Sequence, residues 1–221
     1  MDGYTITSHD IQGYEGLVDN RHWTIGSKTL MVLLPGLGYT NDMPIMFYMN
    51  ETALNRRYDV LQINYDYRSV PRETSAEEWS ARMLADVRPT IDAALANGNY
   101  TNIILAGKSI GTRVMATLLA HGFDKATAYI WLTPLFVSEP VRKAAMEHLP
   151  SLAMFGDADF AVKDAPLADI AKAGVELVIQ PGGDHSMMVP GNIPESINDL
   201  ARAMHELDTW LARTIPAGGI A

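Results

Sequence analysis

The sequence predicts an α/β fold, a mostly parallel central sheet with helices on both faces. Three observations predict it. Short apolar runs alternate along the chain with stretches of helical periodicity. Runs such as Leu30–Leu34 and Ile103–Ala106 are apolar at consecutive positions, as strands buried on both faces require. Finally, Gly107-Lys108-Ser109-Ile110-Gly111 stands where a strand must turn sharply into a helix. At 221 residues, 48% of them hydrophobic, the chain is long enough for one domain with a substantial core.

Taken in order, Tyr4–His9 and Trp23–Ile25 are candidates for the first strands, in a stretch of weak alternation. Lys28–Leu34 reads as a buried strand stopped by Pro35-Gly36-Leu37-Gly38. A helix is expected from Met43 to Arg57, with Met43, Met46, Phe47 and Leu54 on its packed side. Tyr58–Tyr65 is the next strand, and Pro71 keeps the polar loop Arg68–Thr74 out of helix. Ser75 suits the N-cap of a long helix through Ala96, with Glu77 and Glu78 favouring its dipole. Pro89 is expected to kink or split that helix, and Asn97-Gly98-Asn99 to close it. After the central strand, Thr112–Leu119 is helical. Strands follow at Thr127–Thr133, Ser151–Phe155 and Val175–Ile179, separated by helices at Pro140–Leu149 and Asp164–Ala173. Pro194–Leu211 is a closing amphipathic helix, and residues 216–221 read as a loose tail.

Composition narrows the functional classes. Without cysteine the chain has no disulfide, thiolate metal site or cysteine nucleophile. A net charge of -9 argues against nucleic acid as a partner, because phosphate binding needs a basic face. No apolar run approaches the about 18 residues of a membrane helix. The start, Met1-Asp-Gly-Tyr-Thr-Ile-Thr, lacks the basic and apolar regions of a signal peptide. The expectation is a soluble cytoplasmic protein with no membrane partner. No metal-ligand spacing, G-x-G-x-x-G or P-loop occurs, so no cofactor is implied. Oligomeric state leaves no signature.

In a sheet of this kind chemistry gathers beyond the carboxyl ends of the strands. Four loops fall there: Pro35–Tyr39, the Ser109 corner, Gly156–Val162 and Gly182–Met187. Ser109 stands at a helix N-terminus, where backbone N–H groups and the helix dipole favour a developing oxyanion.

With these motifs, each following a strand, the chain resembles the α/β-hydrolase superfamily over nearly its whole length, 1–221. The order of nucleophile, acid and histidine is that of the family. The nearest likeness is to small lidless serine esterases and the dienelactone-hydrolase-like branch. Dienelactone hydrolases carry cysteine at the elbow, where this chain has Ser109. The resemblance implies Ser109 as nucleophile and His185, in Gly182-Gly-Asp-His-Ser, as the base that takes its proton. The other five histidines, His9, His22, His121, His148 and His205, lie off the strand-end loops on this reading.

For the acid, Gly156-Asp-Ala-Asp-Phe-Ala-Val162 is similar to the family's G-x-x-D-x-x-V, which points to Asp159. Asp157 is the alternative, nearer the strand and better placed to bond turn N–H groups. Asp184 is the third choice. The oxyanion hole would use the backbone N–H groups of Ile110 and Leu37, with Gly38 as second choice for the latter. Many members carry His-Gly at that corner, where this chain has Pro35-Gly36.

Tyr39, Phe136, Phe160 and Met187 either line an acyl or alcohol pocket or belong to the core. Lys108, beside the nucleophile, is either a tuner of local charge or, as expected, solvated or ion-paired; Asp66 is expected to cap its loop rather than act in catalysis. The implied function is hydrolysis of a small ester through an acyl-enzyme. A thioesterase, lactonase or amidase would use the same chemistry. A catalytically silent binding module and a lyase or haloperoxidase are alternatives of other classes, since fold does not fix function.

Overall fold

In a computed structural model of the chain, residues 3–215 are described; the stretch 216–221, expected as a loose tail, lies outside them. Eight strands form one sheet in the order β1-β2-β4-β3-β5-β6-β7-β8. The outer pair, β1 (Thr5–Gln12) and β2 (Leu17–Thr24), is an antiparallel hairpin, and β2 also pairs antiparallel with β4 (Asp59–Gln62). From β4 onward the sheet is parallel, through β3 (Thr29–Leu34), β5 (Asn102–Lys108), β6 (Ala128–Leu132), β7 (Ser151–Gly156) and β8 (Val175–Gln180).

The twofold period of the strands divides the core in two. Leu30, Val32, Leu105, Trp131 and Phe155 point to one face, covered by α2 (Ala76–Asn97), α3 (Ile110–Ala120), α4 (Glu139–Glu147) and α5 (Leu167–Lys172). Met31, Leu33, Ile104, Ile130 and Met154 point to the other, covered by α1 (Pro44–Asn55) and α6 (Ile193–Thr214). Burying each such side chain contributes about 1.5–3 kcal/mol before chain entropy is counted. Among the described residues, only α4 stands between β6 and β7, and no cap domain is inserted. No helix among them is long and apolar enough to cross a membrane.

Three expectations need correction. The first two strands are longer than predicted, because most of β1 is exposed on both faces and shows no alternation to read. In α1, Met46 and Leu54 are buried as expected, but Met43 and Phe47 are exposed. Met43 is the extended N-cap, outside the helical phase, and Phe47 lies opposite the stripe made by Ile45, Met49 and Ala53. Pro89 does not split α2, which runs through it as one helix of 22 residues capped by the Ser75 side chain on Glu78 N–H.

At the amino end of the parallel strands lies a buried polar knot. The Asp59 carboxylate accepts from Ile25 N–H (2.8 Å), Ser27 N–H (3.2 Å) and the Tyr100 hydroxyl (2.8 Å). The Tyr100 oxygen is also 3.2 Å from His22 Nε2. Burial pushes the His22 pKa down to about 4, opposed by the charge of Asp59 and aided by His9. Between that value and its ordinary 6.5, the unfolded chain binds the His22 proton and the folded chain does not. Stability from this group is therefore full above pH 6.5 and falls as pH drops toward 4. We expect the stability difference between pH 7.5 and 4.5, read from urea midpoints, to shrink by about 2 kcal/mol in His22→Gln. An unchanged difference would show that His22 does not carry it.

Candidate active site

The connections from β3 diverge. The chain leaves β3 to form β4 on one side, and then returns to lay β5 on the other. In open α/β sheets ligands gather at such a switch point, which here falls between the β3–α1 loop and the β5–α3 corner.

Ser109 alone makes that corner, between Lys108, the last residue of β5, and Ile110, the first of α3. Its φ of 53° and ψ of -115° lie where residues with side chains rarely go. Such a conformation costs about 1–3 kcal/mol and survives only if its surroundings enforce it. Here Ser109 N–H donates to the Leu132 carbonyl (3.0 Å), while Thr112 N–H and its hydroxyl donate to the Ser109 carbonyl (2.9 and 2.6 Å). The corner is also pressed from below. A β-carbon on Gly111 would lie 2.1 Å from the Leu34 carbonyl oxygen, so α3 can approach β3 this closely only without one.

The Ser109 hydroxyl oxygen is 2.8 Å from His185 Nε2, and His185 Nδ1 is 2.8 and 2.9 Å from the two oxygens of Asp159. Asp159 is buried and also accepts the Ala161 N–H at 2.8 Å. The loop after β7 and the loop after β8 lie against each other with no space between. A β-carbon on Gly156 would fall 1.9 Å from the Gly183 oxygen, and Ala158 N–H donates to that same oxygen at 3.1 Å. Asp157 adds a second tie by accepting the Gly182 N–H at 2.7 Å. Asp184 turns inward on its own loop, accepting from Ser186 and Met188 N–H (2.7 and 3.0 Å). Of the three aspartates, Asp159 is the one bonded to the imidazole.

The Pro35–Tyr39 loop is a tight turn, with Gly36 N–H donating to the Tyr39 carbonyl (2.9 Å) and Tyr39 N–H to the Gly36 carbonyl (3.3 Å). That turn leaves the N–H groups of Leu37 and Gly38 over. Ile110, the first residue of α3, has no intrahelical acceptor. Among the described residues, none of these three N–H groups meets a protein acceptor. A cavity of about 230 Å³ opens beside the turn, lined by Gly36, Gly38, Thr40, Asn64 and Arg68 among others. Asp66 holds that rim as expected, accepting Arg68 N–H at 3.0 Å and pairing with its guanidinium.

Of the four aromatic or thioether candidates, two are core. Phe136 is 0% exposed and meets Phe155 edge-on, and Met187 is 3% exposed and packs with the α1–α6 side. Neither has surface to offer a pocket. Phe160 is 66% exposed, its ring centroid 4.6 Å from that of His185. Tyr39 is half-buried, its hydroxyl accepting the Ile45 N–H at 3.1 Å.

Lys108 is neither solvated nor ion-paired. It is 1% exposed, and Nζ donates to Thr133 Oγ1 (3.1 Å) and to the His185 carbonyl (3.0 Å). Nζ also stands 4.3 Å from the centre of the Tyr39 ring. Burial pushes its pKa down to about 8, against the opposing charges of Asp159 and Asp184. Thr133, which sequence reasoning passed over, is fully buried at φ 39°. The only signal for it was its place just past a strand neighbouring β5. Among the described residues no three carboxylate or imidazole groups gather as a metal would need.

A family model described as an alpha/beta hydrolase domain matches residues 27–212. No curated protein matches the sequence. Among solved structures the chain is similar to a protein of unknown function from Agrobacterium tumefaciens, at TM-score 0.71 and 17% identity, covering 96% of this chain and 99% of that one. It is similar to a lidless α/β serine hydrolase from Xanthomonas campestris, at TM-score 0.69 and 17% identity, covering 98% and 97%. A third is an esterase from Pyrococcus furiosus, at TM-score 0.70 and 15% identity, covering 96% and 92%. At these identities the likeness carries the fold. The family match spans every parallel strand and the Ser109 corner, and the chain belongs to the α/β-hydrolase family.

Proposed function

We propose that this protein is a serine hydrolase that cleaves small carboxylic esters through an acyl-enzyme. The observation that carries the reading is the unbroken hydrogen-bond chain from the Ser109 hydroxyl through His185 to the buried Asp159. A free hydroxyl is a weak nucleophile at neutral pH. In this arrangement His185 Nε2 takes the Ser109 proton as Oγ attacks the acyl carbon, and Asp159 stabilises the resulting imidazolium.

The carbonyl oxygen becomes an oxyanion, met by the free N–H groups of Leu37 and Ile110. His185 then returns the proton to the departing alcohol as the tetrahedral intermediate collapses. Water repeats the sequence on the acyl-enzyme, freeing the acid and restoring Ser109. Leaving groups of thioesters, lactones and amides would follow the same path. The absence of cysteine accords with a reducing, cytoplasmic setting, and the partner in this reading is a small-molecule substrate.

Three outcomes test the reading. A fluorophosphonate should label the wild type and not Ser109→Ala. That variant should lose on the order of 10⁴ or more in kcat while its circular dichroism and urea midpoint stay put. Near-wild-type turnover in the alanine variant would defeat the assignment.

Asp159→Asn should lower kcat by roughly 10⁴, because the imidazole then rests in the wrong tautomer. Asp157→Asn, which loses one exposed bond between loops, should keep kcat within a few-fold and cost about 1 kcal/mol of stability. Measuring both parameters for both variants decides between the two carboxylates, and a reversed pattern would make Asp157 the acid.

The short β6–β7 connection leaves little apolar surface to cover a long acyl chain, and each methylene would gain at most about 0.8 kcal/mol. With p-nitrophenyl esters of increasing length, kcat/KM should peak among short chains. A steady climb to long chains would mean that an acyl-binding surface exists after all.

A further inference from the structure

The loop that carries His185 is tied to itself and to its neighbour at several points. Asp184 bonds the N–H groups of Ser186 and Met188, and Gly182 and Gly183 bond to the loop after β7. None of these ties touches the His185 peptide carbonyl. Among the described residues, the donor that does is Nζ of Lys108, at 3.0 Å. We propose that Lys108 is a positioning residue for the reaction: its ammonium fixes the main chain of His185, and so the imidazole, over Ser109.

The proposal rests on the serine-hydrolase reading above and adds a residue to it. The geometry is specific. Lys108 directly precedes Ser109, so one strand end carries both the attacking hydroxyl and the anchor of the base that serves it. A drift of β5 moves the two together and preserves their 2.8 Å contact. The same ammonium reaches β6 through Thr133 and the β3 loop through the Tyr39 ring. Three elements that have no chain connection at this point are thereby held by one group.

Backbone strain surrounds the site of attachment. Ser109, Thr133 and Met187 all have positive φ (53°, 39° and 54°), and each is Lys108's neighbour, its partner, or a member of the loop it holds. Stability alone does not call for a charge here. A methionine would fill the slot without removing an ammonium from water, and buried ionic groups are often replaceable by apolar ones at no loss.

The groups facing the ammonium are Asp159 from the β7 loop, Asp184 and His185 from the β8 loop, and Tyr39 from the β3 loop; Thr133 brings no charge. With burial setting its pKa at about 8, Lys108 is charged below that pH and neutral above it. A neutral amine keeps weaker hydrogen bonds and loses its attraction to the Tyr39 ring.

The test compares wild type, Lys108→Met and Lys108→Arg with a p-nitrophenyl ester between pH 6.5 and 9.5, each sample normalised to its fluorophosphonate-labelled sites. At pH 7 we expect Lys108→Met to lose about 10- to 100-fold in kcat, with KM within about twofold, as for one charge-assisted bond. Wild-type kcat should fall as pH rises through about 8, the value at which Lys108 discharges. Lys108→Arg, whose guanidinium keeps its charge, should not show that fall. A folded Lys108→Met with kcat within threefold of wild type, or with its loss confined to KM, overturns the proposal. Should neither variant fold, the wild-type profile decides, and a kcat flat to pH 9.5 at constant circular dichroism overturns it. Failure of the wild type itself to label would defeat the serine reading and this proposal with it, an outcome distinct from the rest.

Discussion

The site depends on how closely helix α3 can press against the end of β3. With no side chain at Gly111, the first turn of the helix comes to rest on the Leu34 carbonyl. From that one contact follow the forced φ of Ser109, the emergence of its hydroxyl above the sheet, and the free Ile110 N–H beside it. A second close approach, Gly156 against Gly183, locks the loops bearing Asp159 and His185 to each other. Two contacts with no room to spare therefore set where the three polar side chains stand, and hydrogen bonds refine what packing has already placed.

Much of this was legible in the sequence, and for a physical reason. Strands buried on both faces must be apolar at successive positions, so β3, β5, β6 and β7 announce themselves. A sharp corner needs glycine on either side, so Ser109 does as well. The resemblance to the family's G-x-x-D-x-x-V points to Asp159 over Asp157, and distance along the loop agrees, since a residue past the strand end can turn under a neighbouring loop. The structure brings Asp159, and not Asp157, to the imidazole.

What stayed hidden depends on contacts between residues far apart in sequence. Lysine is ordinarily exposed, and nothing local marks Lys108 as buried. Its partners lie 25 and 77 residues further along the chain. Met187 is buried on a backbone of positive φ, which composition does not reveal. The full extent of the outer hairpin escaped because β1, exposed on both faces, carries no hydrophobic pattern, and because the inward positions of β2 include the polar Asn20 and His22. The two buried polar groups at opposite ends of the sheet differ in the same way. Asp59 is satisfied by backbone donors and a tyrosine, as a structural carboxylate would be, whereas Lys108 bridges three separate elements.

The order of the site's residues along the chain has a further consequence during synthesis. Synthesis runs from the amino terminus, and a domain generally folds as a unit. Ser109 sits at the middle of the sheet, but Asp159 and His185 follow β7 and β8, the last two strands along the chain. On the proposed chemistry, a nascent chain exposes its nucleophile well before it has a base to activate it. It is inert toward esters in that interval, and reactivity begins only when the final edge strand docks. Hydrolytic competence is thus a property of the finished sheet, and a truncated chain that lacked β8 would carry the serine without the means to use it.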